Sequence, residues 1–94
     1  MSDKFSIAEL ETFSKKISSL KFKNLYNKVY NFVYPQLKNN PYFGPNIKRL
    51  KGSLDVYYRY RIGNYRLFYK IDKDKLIVFI FDIKPRKDSY KKRK

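Results

Sequence analysis

Val56-Tyr57-Tyr58-Arg59-Tyr60-Arg61-Ile62-Gly63-Asn64-Tyr65-Arg66-Leu67-Phe68-Tyr69-Lys70-Ile71 consists of two alternating runs joined at Gly63-Asn64. Tyr, Val, Ile and Phe suit a pleated surface, and a two-residue Gly-Asn connection suits the primed turns whose twist matches the flanking strands. The stretch therefore predicts a β-hairpin. Placing Ile62 opposite Tyr65 gathers Val56, Tyr58, Tyr60, Ile62, Tyr65, Leu67, Tyr69 and Ile71 on one face, and Tyr57, Arg59, Arg61, Arg66, Phe68 and Lys70 on the other. Arg61 then lies across from Arg66, where like charges repel unless an anion sits between them. The arginine face is the expected working surface.

The rest of the chain must supply a core for the other face. Ninety-four residues make one domain, residues 1–94, and ten Tyr with eight Phe provide large apolar areas in a chain of which 33% is charged. The 23 Lys and Arg against eight Asp and Glu leave a net charge of +15. Such a field attracts polyanions through counterion release and speeds their encounter, which makes nucleic acid the leading partner class. With neither Cys nor His in the sequence, disulfides, thiolate chemistry, the commonest zinc ligand and the usual general base are all missing. The scattered carboxylates suggest no metal cage, so neither metal nor cofactor is expected. No apolar stretch approaches a membrane span and the start of the chain has no apolar signal core, so a cytoplasmic protein is expected.

Lys4 to Ile7 predicts a short first strand. Ala8 to Leu20 predicts a helix with Leu10, Phe13, Ile17 and Leu20 on its buried face and Glu9 and Glu11 in its first turn. After a break at Lys21 to Asn24, with Asn24 as cap, a second helix is predicted to bury Leu25, Val29, Phe32, Val33 and Leu37. Pro35 removes a backbone donor, so that helix should kink there or end near Tyr34. Asn39 to Pro45 reads as a loop, and Ile47 to Gly52 as a lead into the sheet, where Lys48, Arg49 and Lys51 are either solvated or phosphate contacts. Asp72 to Lys75 is a polar turn, with Asp72 and Asp74 as turn formers. Leu76 to Ile83, apolar on both faces, reads as a central strand. Pairing Ile71 with Leu76 puts Leu76, Val78 and Ile80 beside the apolar hairpin face, and Ile77, Phe79 and Phe81 beside the arginines. The chain closes in a basic segment from about residue 84, in which a helical turn after Pro85 would set Arg86 and Tyr90 on one side.

The helix pair, Leu50-Lys51-Gly52, Tyr58-Arg59-Tyr60-Arg61, Asn64-Tyr65-Arg66-Leu67, the apolar last strand and Pro85-Arg86-Lys87-Asp88-Ser89-Tyr90 resemble, in that order, the RelE/ParE toxin superfamily. The resemblance covers nearly the whole chain. It implies an α+β fold with two N-terminal helices packed on one face of a small, mainly antiparallel sheet in the order β-α-α-β-β-β. In the RelE branch it implies an endoribonuclease that cuts mRNA, usually in the ribosomal decoding site, and that a cognate antitoxin wraps and blocks. Arg66 and Arg86 match phosphate-binding arginines and Tyr90 a catalytic or base-stacking tyrosine, while Arg59 and Arg61 occupy strand positions that are basic in related toxins. Lys48, Arg49, Lys51, Lys84, Lys87 and Lys91 are the further expected RNA contacts. Many relatives carry His where this chain has Pro85, and the ribosome-dependent type member has lysines near Tyr57 and Arg59.

Cleavage by this route needs the ribose 2′-OH to lose its proton and attack the adjacent phosphorus in line, while the new negative charge and the leaving 5′ oxygen are stabilised. Arginine forks suit the phosphate oxygens, and a phenol among cations can take part in proton transfer. The ParE branch implies inhibition of DNA gyrase instead. A third reading is a non-catalytic RNA-binding module whose aromatics stack on bases. With +15 to cover, the antitoxin is expected to be acidic.

Overall fold

The computed structural model describes residues 4–50 and 57–86. Its central feature is a five-stranded sheet: β1 (Ser6–Glu9), β2 (Ile47–Leu50), β3 (Tyr57–Ile62), β4 (Tyr65–Asp72) and β5 (Ile77–Pro85), in the spatial order β1-β5-β4-β3-β2. Only β1 runs parallel to its neighbour, β5. Ile47–Leu50, expected as a lead-in, is a full strand paired with β3, so the sheet has one strand more than expected.

The hairpin forms with Ile62 opposite Tyr65 and Arg61 opposite Arg66, as expected. Gly63 takes φ of +57° while Asn64 does not adopt positive φ, the pattern of a II′ turn. Side chains rarely adopt that φ and a substitution there would be strained, which favours glycine.

The apolar face of the hairpin became the core. Tyr58, Tyr60, Leu67 and Tyr69 are buried together with Phe13, Ile17, Val29, Val33, Leu37, Val78 and Ile80. Tyr69 is fully buried; its ring stacks on Tyr58 at 5.6 Å and its hydroxyl donates to Pro41 O at 2.8 Å, so this phenol in the core has a partner.

The last strand differs from expectation in register. Ile71 pairs with Val78, not Leu76, because Leu76 closes the preceding turn at φ of +58°. Asp72 Oδ1 accepts from the amides of Asp74 and Lys75 in that turn. The two-residue shift preserves parity, so Val78 and Ile80 still face the core. A bulge opposite Phe68 and Tyr69 then inserts Phe81. Ile80 and Ile83, three apart, are both fully buried, which an unbroken alternation cannot achieve. The bulge resolves the conflict and keeps Asp82 and Lys84 off the core.

The first helix is shorter than expected: α1 spans Glu11–Ile17, and Ala8 and Glu9 belong to β1. Parallel pairing to β5 outcompeted helix formation, since β1 supplies Ile7 opposite Val78. Leu20, expected on the buried face, lies in a short 3₁₀ turn (Leu20–Phe22) and is 87% exposed. Lys23 to Asn39 is one continuous helical run made of α2 (Lys23–Lys28), a π-helical turn (Val29–Val33) and α3 (Tyr34–Asn39). Asn24 is inside this run, not its cap. The widened turn, in which Tyr34 N–H bonds Val29 O, lets the chain pass Pro35 without stopping. Its extra residue also rotates the buried stripe, so Tyr34 is buried and Phe32, expected in the core, is 71% exposed. Among the described residues no helix is long and apolar enough to cross a membrane.

Candidate nucleic-acid interface

Sheet register builds the site. Antiparallel partners share a face, so Arg61, Arg66 and Lys84 form one row across β3, β4 and β5, and Lys48, Arg59, Phe68 and Asp82 form the next across four strands. The helices lie on the opposite face, against Tyr60, Leu67, Tyr69 and Val78. Arg59, Arg61 and Arg66 therefore share a surface that no described helix covers. Arg61 is exposed, whereas Arg66, in the central strand, is 8% exposed.

Aromatic rings floor the same surface. Phe81, on this face as alternation along β5 expects, meets Tyr57 edge-on at 5.2 Å and Phe68 at 6.3 Å. Lys84 Nζ stands 5.8 Å over the Phe68 ring and Lys70 Nζ 6.0 Å over Tyr57. Cations at those distances lie within range of the ring quadrupoles, so the platform holds its own charged rim.

Arg86 is exposed at the end of β5, where its amide donates to Asn64 O at 2.7 Å and fixes the strand end against the hairpin turn. Pro85 pairs with Tyr65, which places Arg86 one step beyond the Arg61–Arg66–Lys84 row. Arg49 departs from the group: it pairs with Tyr58, whose ring is in the core, so its register is on the helix-covered side. Tyr90, Lys51, Lys87 and Lys91 lie outside the described residues.

Asp82 was not singled out in the sequence. Its carboxylate accepts from Lys16 Nζ of α1 at 2.9 Å and lies 3.9 Å from Lys84 Nζ, so it is a negative group within the basic face. The signal that could have found it was the three-residue spacing of Ile80 and Ile83, which requires a bulge and turns Asp82 toward the arginines.

The comparisons agree with this architecture. Residues 11–90 match the family model described as ParE toxin of type II toxin-antitoxin system, parDE. No curated protein matches. Among solved structures, the chain superposes on the toxin–antitoxin complex RelBE2 of Mycobacterium tuberculosis with a TM-score of 0.73 at 25% identity, covering 90% of this chain and 98% of that one. The archaeal RelE–RelB complex of Pyrococcus horikoshii gives 0.70 at 26% identity, with 88% and 96% covered. The isolated E. coli RelE toxin gives 0.64 at 20% identity, with 88% and 85% covered, a likeness of fold. With the family model spanning most of the sequence and these structures sharing its sheet and helices, the chain belongs to the ParE toxin family and is a type II toxin of the RelE/ParE superfamily.

Proposed function

We propose that this toxin is a metal-independent endoribonuclease that cuts mRNA, with the ribosome presenting the substrate, and that an acidic antitoxin neutralises it. The observation that carries the reading is the row Arg61–Arg66–Lys84 beside the Tyr57–Phe68–Phe81 platform. Three aligned cations suit successive phosphates, and the adjoining rings suit unstacked bases, the combination by which single-stranded RNA is held.

In the proposed reaction the 2′-oxygen loses its proton and bonds to phosphorus, and the 5′-oxygen leaves and takes up a proton. The products are a 2′,3′-cyclic phosphate and a 5′-hydroxyl. Arg66 and Arg86 are assigned to the phosphate oxygens, with Lys84, Arg59 and Arg61 along the backbone and Lys48 at the margin. Tyr90 is assigned to proton transfer, since the chain has no His. Arg66→Ala should lower the cutting rate by about 10²–10³-fold, as for loss of one preorganised donor to a developing oxyanion.

The family description supports a second reading, inhibition of DNA gyrase, in which no RNA is cut. Incubating the purified toxin with translating ribosomes, and separately with gyrase and relaxed plasmid, separates the two. Codon-phased cuts abolished by Arg66→Ala support the nuclease. Intact mRNA together with lost supercoiling overturns it in favour of the gyrase reading.

A further inference from the structure

On the side of the sheet away from the arginines, β1 and the long helix enclose an open cleft of about 560 Å³. Glu9 lies in it: the residue pairs with buried Ile80, so its side chain is on the helix-covered face. Glu9 Oε2 accepts from Tyr26 OH and Tyr34 OH, each at 2.7 Å. Burial first, and the bond to Glu9 second, push the Tyr26 phenol up to about 12 and raise Tyr34 in the same direction, so both remain protonated donors. Among the described residues, Glu9 Oε1 has no donor.

The third wall is harder to explain by folding alone. Tyr30 is 60% exposed and makes no hydrogen bond to a described residue, yet its ring lies 6.0 Å from both Tyr26 and Tyr34. Tying β1 to the helix needs only the two bonded phenols. An exposed ring beside an open carboxylate oxygen is an arrangement that receives a cation.

We propose that this cleft binds the guanidinium of an arginine presented by a partner peptide. A planar, weakly hydrated guanidinium can lie on a tyrosine ring while its N–H groups reach Oε1. A divalent metal is a poor fit, because the lining holds a single carboxylate, one oxygen of which already accepts from two phenols. A free small cation is disfavoured by Lys38 at the lip and by the +15 of the chain, so the aliphatic stem must contribute through contact with Phe5 and Ile7.

Charge explains what the site would do. Glu11 and Asp82 are already paired with lysines, and Asp72 is occupied by turn amides. An acidic partner is attracted over much of this surface without a preferred register, while an arginine it carries meets at Glu9 a carboxylate oxygen without a described donor and a tyrosine ring lining the same cleft. The cleft would pin that register. The acidic partner rests on the proposed function, but the cleft is remote from the proposed nuclease surface, so arginine binding there is tested independently of RNA cutting.

The test is titration of the full chain with N-acetyl-arginine amide, followed by the NMR ring resonances of Tyr26, Tyr30 and Tyr34. N-acetyl-citrulline amide, equal in shape and uncharged, is the control. Saturable binding in the range of about 1–10 mM is expected for one side chain, with binding at least about tenfold weaker for citrulline, Glu9→Gln and Tyr30→Ala. Glu9→Gln keeps an acceptor for both phenols, and Tyr30→Ala removes only an exposed ring. No saturation by about 100 mM, equal binding of citrulline, or wild-type affinity in Glu9→Gln would overturn the site. Should Glu9→Gln fail to fold, unchanged affinity in Tyr30→Ala overturns it alone.

Discussion

Arg61 and Arg66 are direct partners across the hairpin, yet Arg61 is exposed and Arg66 buried, and Lys84 extends their row on the next strand. Like charges at adjacent cross-strand positions cost stability. In the proposed nuclease, that cost is offset when a phosphate lies between them.

Arg61→Thr should therefore stabilise the fold by about 0.2–0.5 kcal/mol while weakening RNA binding. Losing one phosphate contact should also reduce the slope of log K against log salt by about 0.7. Denaturant midpoints and binding at several salt concentrations measure the two effects. A destabilised Arg61→Thr with unchanged RNA affinity would assign Arg61 to the fold instead.

Tyr69→Phe should show the opposite balance. It leaves the stacked ring in the core but deprives Pro41 O of its donor, at a cost of about 1–2 kcal/mol. Activity per folded molecule should not change, because this face is turned away from the arginines. Thermal denaturation and a cutting assay at equal folded concentration check both halves.

The hairpin, its register and its two faces were legible because alternation with period two and a Gly-Asn turn are local signals. The β1–β5 pairing was not, since nothing local tells Ala8 and Glu9 that a parallel strand 71 residues away outbids a helix. Phe32 misled for a related reason: the helical period holds only without an inserted residue, and the π turn before Pro35 inserts one. In the candidate site, the arginines and Phe81 followed from alternation along the hairpin and the last strand, whereas Asp82 depended on a bulge visible only as competing demands of Ile80 and Ile83.

Alkaline pH should loosen the attachment of β1. Tyr26 has its folded pKa raised above its ordinary value of 10.0 to about 12. Its contribution to stability is thus fully present below pH 10 and is lost as pH rises through about 12. Lysine deprotonation over the same range relieves self-repulsion, so the informative quantity is the difference between wild type and Tyr26→Phe. The variant, which has no phenol there to ionise, should lose less stability between those limits. Parallel stability curves would show that burial and the bond to Glu9 do not hold this proton.

Asp82→Asn tests whether a negative group within the basic face serves the chemistry or merely offsets charge. The carboxylate touches Lys16 and Lys84, all three partly exposed, so its removal should cost no more than about 1 kcal/mol. Losing one negative charge strengthens the field, so RNA should bind more tightly and with a steeper salt dependence. Lys84, released from Asp82, then has more freedom to leave its place beside Arg66, so the backbone that it contacts is held less closely in line for attack. Tighter binding with slower single-turnover cutting is the expected split. If binding and cutting rise together, Asp82 only offsets charge, and Lys84 acts as a backbone contact in ground and transition state alike.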